Sequence, residues 1–139
     1  MEPSSPITYS ETQRFAAKDL KALYLSVSWS SASKVDTLQR ALEGAHRVIS
    51  AWDGPRLIGL GNAISDGALV VYFPHLLVHP EYQGRGIGKE LMRRLQEPYH
   101  EFHQQVLVAD GDAIEFYKKL GFYRAGRTEP LWIYDGHDH

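Results

Sequence analysis

The chain has 139 residues, 43% of them hydrophobic and 23% charged, a size and balance that suit one folded domain with its own core. Fifteen basic and 17 acidic side chains leave a net charge of −2, which excludes a global basic field for nucleic acid or an anionic membrane. The absence of cysteine excludes disulfides, thiolate metal sites and a cysteine nucleophile, and no apolar run approaches the roughly 20 residues that cross a bilayer.

The opening "MEPSSPITYS" lacks a charged-then-apolar leader pattern, so a cytoplasmic protein with one domain over residues 1–139 is expected. "MEPSSP" reads as a frayed start and "ITYSE" as a short edge strand. From Phe15 to Val27, Phe15, Leu20, Leu23, Tyr24 and Val27 recur at helical spacing. "SWSSASK" is a loop leading to a second helix, where Val35, Leu38, Ala41 and Leu42 share a face and Gly44 is the stop. The period then changes. Asp53-Gly54 and Asp66-Gly67 each separate two strand-like runs, which predicts three antiparallel strands in a meander. Pro74 lies inside the third of these runs, where it marks a bulge or a point at which ladder pairing stops.

Beyond three glycines comes a helix with an apolar row (Ile87, Leu91, Leu95) opposite a basic one (Arg85, Lys89, Arg93), ended by Pro98. "QQVLVAD" reads as a fifth strand. It precedes the helix "DAIEFYKKL", with capping-box spacing at Asp112 and Glu115 and a C-terminal cap at Gly121. "FYRAG" and "PLWIYD" read as two final strands. The expected fold class is α/β (α+β): a single mixed, mostly antiparallel sheet of about seven strands with flanking helices.

The stretch "VHPEYQGRGIGKELMRRL", Val78 to Leu95, carries the chemistry. Glycines there let successive N–H groups converge on an anion, and the following helix N-terminus adds positive potential. Arg85 and Lys89 can add charge-assisted contacts; a plain strand-to-helix turn with a solvated basic face is the alternative. A Walker A loop needs four residues between its glycines and a Gly-Lys-Ser/Thr end, which this loop lacks. A dinucleotide fingerprint needs Gly-x-Gly-x-x-Gly, whereas the order here is Gly84-x-Gly86-x-Gly88.

Gln83-Gly84-Arg85-Gly86-Ile87-Gly88 instead resembles the Gln/Arg-x-x-Gly-x-Gly/Ala pyrophosphate loop of the GNAT N-acetyltransferase superfamily. The lead-in "LLVHPEY" resembles that family's apolar strand, and "AIEFYKKLGF" (Ala113–Phe122) its later helix ending in Phe-Tyr-x-x-x-Gly-Phe. The resemblance implies acetyl-CoA as co-substrate and strands four and five splayed around its pantetheine arm. It implies a cofactor-binding set of Leu76, Leu77, Val78, Gln83, Gly84, Arg85, Gly86, Ile87, Gly88 and Lys89. Asp110 stands where many relatives carry an asparagine that touches the cofactor.

By the same resemblance Tyr117 protonates the departing thiolate, while Phe116 is read as a core aromatic. The expected reaction is direct attack by a primary amine on the thioester, with His75 as candidate base and Tyr72, Ser65 and Asp110 as alternatives. His79 is read as part of the turn, His137 and His139 as a solvated tail, and Trp29 and Trp132 as walls of the acceptor pocket or core residues. No metal, nucleic-acid or membrane partner is expected; a homodimer is compatible with the resemblance. A small-molecule amine is the expected acceptor. A protein N-terminus or lysine, or a non-catalytic acyl-CoA sensor, are the alternatives.

Overall fold

Turn chemistry and burial on both faces of the central strands determine the architecture. The computed structural model describes residues 6–139, so most of the expected frayed start lies outside the described residues. The elements run β1 (Thr8–Ser10), α1 (Ala17–Ser26), α2 (Val35–Glu43), β2 (Arg47–Asp53), β3 (Arg56–Ser65), β4 (Val70–Tyr72), β5 (Leu76–Val78), α3 (Ile87–Gln96), β6 (Gln104–Val106) and α4 (Ala113–Lys119). Both predicted hairpins form. Gly54 takes φ +58° between β2 and β3. In the next turn Gly67 takes φ +80°, and the Asp66 carboxylate accepts the N–H groups of Ala68, Leu69 and Val70. Those donors hold its pKa below the usual carboxylate range.

β1, β2 and β3 pair antiparallel in order. Beyond β3 the sheet forks: β4 pairs with Ile64 and Ser65 of β3, β5 pairs with Gly59 to Gly61, and β6 runs parallel to β4. Side chains of β2 and β3 are buried on both faces. On one face Ile49, Ala51, Ile58 and Ala63 meet Ile87, Leu91 and Leu95 of α3; on the other Val48, Leu57 and Leu60 meet Leu20, Leu23, Leu38 and Leu42 of α1 and α2. Each of these Leu, Ile and Val side chains contributes roughly 1.5–3 kcal/mol on burial. Gly59 and Gly61 let α3 lie close: a Cβ at either would stand 3.2 Å from Leu91 or Leu95.

Three expectations change. The sheet has six strands among the described residues, not about seven. "FYRAG" and "PLWIYD" form no ladder; Leu131 and Ile133 stand almost fully exposed, and the chain folds back toward Ser30 instead. The Asp112–Glu115 capping box does not form, because Asp112 is itself helical (φ −66°, ψ −20°) and its side chain makes no cap bond. The Gly121 cap does form, at φ +99°: Gly121 N–H reaches the Lys118 carbonyl at 3.1 Å and Phe122 N–H the Tyr117 carbonyl at 3.1 Å, a Schellman closure. No helix among the described residues is long and apolar enough to cross a membrane.

Candidate active site

The site begins where the fourth strand-like run breaks. Pairing with β3 moves from Ile64↔Tyr72 to Gly61↔Leu76, so four steps along one strand face three along the other. The extra residue is a β-bulge, and it falls over Phe73, Pro74 and His75. Phe73 N–H still donates to the Val106 carbonyl of β6 at 3.0 Å, but Pro74 has no N–H to continue the ladder. Past that point β5 pairs with β3 alone and β6 diverges from it, which is the predicted splay.

Antiparallel alternation then says which backbone groups are open. His79 N–H donates to the Ile58 carbonyl at 2.8 Å and Leu77 faces Leu60, so His75, Leu77 and His79 turn their backbones toward β3. Leu76 and Val78 turn theirs away, into the gap. Of these groups the Val78 carbonyl is taken by the Gln83 side-chain amide at 2.9 Å. Leu76 N–H, Leu76 C=O and Val78 N–H remain for a ligand; Leu77, expected among the cofactor contacts, has its backbone committed to β3.

The glycine loop lies at one end of this gap. Gly84 and Gly86 take φ +80° and +79°, and Gly86 caps α3. The first helical bond runs from Glu90 N–H to the Gly86 carbonyl at 3.0 Å. The N–H groups of Ile87, Gly88 and Lys89 therefore precede the helical ladder and face outward from its positive end. Buried Ile87 anchors the turn. Gly88 packs under the Phe116 ring, with Phe116 Cζ 3.4 Å from where a Cβ would stand. Phe116 is thus a half-buried wall of the site rather than a core residue.

A cleft of about 430 Å³ runs between β5, this loop and the start of α4. Leu76, Leu77, Val78, Gln83, Gly84, Gly86, Ile87, Gly88 and Lys89 all line it. Arg85 does not: its guanidinium donates back to the Glu81 carbonyl at 3.2 Å and lies over the Tyr82 ring. Tyr117 lies at the inner end, where the cleft meets a second cavity of about 260 Å³. Burial pushes its phenol up to about 12, so it is a protonated donor at neutral pH.

The second cavity is lined by Trp29, Phe73, Pro74, Leu76, Asp110 and Tyr117, together with His137, Asp138 and His139. Asp110 therefore faces this cavity and not the cleft. The solvated-tail expectation holds for His137, which is exposed, but not for the last two residues: half-buried His139 lies 4.7 Å from the Trp29 ring, and Asp138 Oδ1 accepts from Ser30 N–H, Ser30 Oγ–H and Tyr134 O–H. Sequence reading placed His139 in a solvated tail and passed over Asp138 because nothing in "DGHDH" signals contact with Ser30, 108 positions before Asp138. Trp132 is exposed against Tyr134 and walls nothing.

His75 is held by Tyr24, whose hydroxyl lies 2.8 Å from its Nδ1, and is flanked by Trp29 and His139. Burial first, and then the His139 charge, lower its pKa to about 4. The ring is neutral at physiological pH and a weak base. Of the other candidates, Ser65 is occupied within its own turn by Val70 and Gly67 and Tyr72 lines neither cavity, whereas Asp110 lines the second one.

A family model described as the acetyltransferase (GNAT) domain matches residues 11–130. An uncharacterized N-acetyltransferase ycf52-like protein of Prochlorococcus marinus is 29% identical over 120 residues, covering 82% of this chain and 66% of that protein. A soybean protein named histone acetyltransferase TAP1 is 33% identical over 117 residues, covering 75% of this chain and 50% of the relative. The chain thus spans from half to about two thirds of the length of these two relatives. Among solved structures, a GNAT-family acetyltransferase of Streptococcus pneumoniae superposes with a TM-score of 0.81 at 28% identity, covering 94% of this chain and all of that one.

Proposed function

We propose that this chain, which belongs to the GNAT acetyltransferase family, moves the acetyl group of acetyl-CoA to a primary amine by direct attack, as a single catalytic domain. The family uses acetyl-CoA, and one observation carries the reading of where it lies here. The bulge at Pro74 leaves Leu76 N–H, Leu76 C=O and Val78 N–H open along a cleft that has a helix start at one end and the half-buried Tyr117 phenol at the other. A pantetheine arm has amides that suit such an edge. A pyrophosphate suits the N–H groups of Ile87, Gly88 and Lys89, with the Lys89 ammonium beside them. Arg85 takes part through its backbone alone.

The amine lone pair attacks the thioester carbonyl carbon, and the new C–N bond pushes the carbonyl electrons onto oxygen. A main-chain N–H of the open strand receives that oxyanion. Its collapse breaks the C–S bond, and Tyr117 O–H protonates the leaving thiolate. The proton shed by the amine leaves through the second cavity to Asp110, the lining carboxylate not engaged, as Asp138 is, by Ser30 and Tyr134. His75 orders the wall instead of serving as base, since its Nδ1 is bound to Tyr24 and its pKa lies far below neutrality.

The narrow second cavity favours a small-molecule amine. A lysine side chain is the second reading, favoured by the 33% identity to the soybean relative and by the slenderness of an alkylammonium. Calorimetry with acetyl-CoA, CoA, ATP and NAD, followed by thiol release over a panel of small amines and lysine peptides, tests both. Binding of the two CoA species alone, with turnover of small amines over peptides, is the expected result; failure to bind any CoA ester overturns the reading.

A further inference from the structure

We infer that Asn62 sets the strand break and, through it, the direction in which Leu76 N–H points, making it a positioning residue for the transfer; this rests on the acetyltransferase reading above. Asn62 lies in the middle of β3, 5% exposed, and with Ser50 it is one of two buried polar residues among those described. An amide buried between apolar layers costs stability unless it is hydrogen-bonded, so its place there calls for a specific partner.

The partner is the backbone of His75. The register of β5 carried one step further sets Asn62 opposite His75, where an undisturbed antiparallel pair exchanges two main-chain bonds. One is made: Asn62 N–H donates to the His75 carbonyl at 3.1 Å. The other is diverted, because His75 N–H donates to the Asn62 side-chain Oδ1 at 2.9 Å. The side chain thus stands in for its own main-chain carbonyl: the His75 carbonyl stays on the ladder while its N–H is turned onto the Asn62 amide. Pro74 has no N–H with which to compete for that carbonyl.

Two further contacts make the arrangement rigid. The His75 ring is fixed from the far side by the Tyr24 hydroxyl at 2.8 Å and packs on Trp29, a wall of the second cavity. Gly61, next to Asn62, has Leu76 Cδ1 3.1 Å from where a Cβ would stand, so the absent side chain lets Leu76 lie close over β3 and any larger residue at 61 would push it away. Leu76 follows His75 directly. Its N–H is therefore aimed by a residue that lines neither the cleft nor the second cavity.

Asn62→Leu keeps the branched shape and removes the acceptor; Asn62→Asp keeps the acceptor. With acetyl-CoA and an amine accepted by the wild type, Asn62→Leu is expected to lose kcat by about 10²-fold, the scale of one misplaced oxyanion donor. Its affinity for CoA, which has no acetyl carbonyl, changes by only a few-fold. Asn62→Asp recovers most of kcat. A merely structural role predicts instead that kcat and CoA affinity fall together, or that both variants suffer alike, and either result overturns the inference, as does wild-type kcat in Asn62→Leu. Should Asn62→Leu not fold, Asn62→Ala replaces it with the same expectations.

A second readout does not depend on turnover. The amide NMR resonance of His75 moves in the direction of a lost hydrogen bond in the apolar variant and keeps a hydrogen-bonded shift in Asn62→Asp, and that of Leu76 moves more in the apolar variant than in Asn62→Asp; unmoved resonances in the apolar variant overturn the inference. A wild type that binds no CoA ester counts against the acetyltransferase reading alone.

Discussion

Gly86→Ala tests whether the loop's backbone geometry, and not its charge, recognises the donor. Gly86 holds φ +79°, and a Cβ placed there meets nothing within 4 Å. The methyl therefore adds no clash and only the left-handed penalty of an L-residue, about 1–2 kcal/mol. That strain has two outlets. If the loop keeps its shape, folding stability falls by the whole amount, a drop in Tm of several degrees for a domain of this size. If position 86 relaxes in the free protein, stability is spared, and the strain returns when CoA forces the N–H groups of Ile87 to Lys89 back into line; affinity then falls about 5- to 30-fold. Thermal melts and CoA calorimetry on the same samples should give losses that together come to about 1–2 kcal/mol. Gly88→Ala is the contrast, because Gly88 has no positive φ and its added methyl would stand 3.4 Å from the Phe116 ring, an ordinary contact. Its stability should hold. A Gly86→Ala protein matching the wild type in both measurements would refute the argument that the positive φ shapes the site.

Tyr117→Phe removes the proposed proton donor at little cost in packing, since the ring stays against Phe116 and Phe122. Turnover should fall roughly 10²- to 10⁴-fold with CoA affinity nearly intact; parallel loss of both would assign Tyr117 to packing. Because burial pushes this phenol up to about 12, wild-type turnover should show no loss from its ionisation through pH 10, where an unperturbed tyrosine is half ionised. His75 gives a stability prediction with a definite sign. Its folded pKa of about 4 lies below the ordinary histidine value of 6.5, so between those values the unfolded chain binds a proton that the native chain does not. The stabilisation is complete above pH 6.5 and is lost as pH falls toward 4, by up to about 3 kcal/mol. Urea titrations of the wild type and His75→Phe across that window should diverge in slope, and parallel slopes would show that His75 titrates normally.

The parts of this fold that could be read from the sequence are those with a local cause. The face shared by Leu38 and Leu42, the stop at Gly44, the Asp-Gly hairpins and the Gly121 closure each follow from residues within a few positions of one another. Pro74 marked the end of a ladder because a missing N–H is a property of one residue. What failed was non-local or conditional. The two final runs have strand-like patterns, but a strand exists only when an edge accepts it, and Leu131 and Ile133 meet none. Arg85 carried the right charge, yet its side chain found the Glu81 carbonyl and the Tyr82 ring nearer than the cleft. Asn62 within "GLGNAIS" gave no sign that its side chain, and not its backbone, would meet His75.

The same distinction separates donor from acceptor. The cleft proposed for the donor offers mostly backbone: open amides beside a proline, and N–H groups at a helix start reached through glycines with positive φ. Backbone recognition constrains residue type at fixed spacing, and so leaves a motif in one continuous stretch. The cavity proposed for the acceptor is lined by side chains that arrive separately: Trp29 before α2, Asp110 after β6, Asp138 and His139 from the C-terminal segment. No spacing links them, because each is delivered by a different element and only the closed fold brings them together. Substitutions at these four positions can therefore change which amine is accepted without disturbing a backbone contact to the donor. Changes at Gly84, Gly86 or Pro74 cannot be so confined, because they move the N–H groups and the strand break on which any acceptor's chemistry depends.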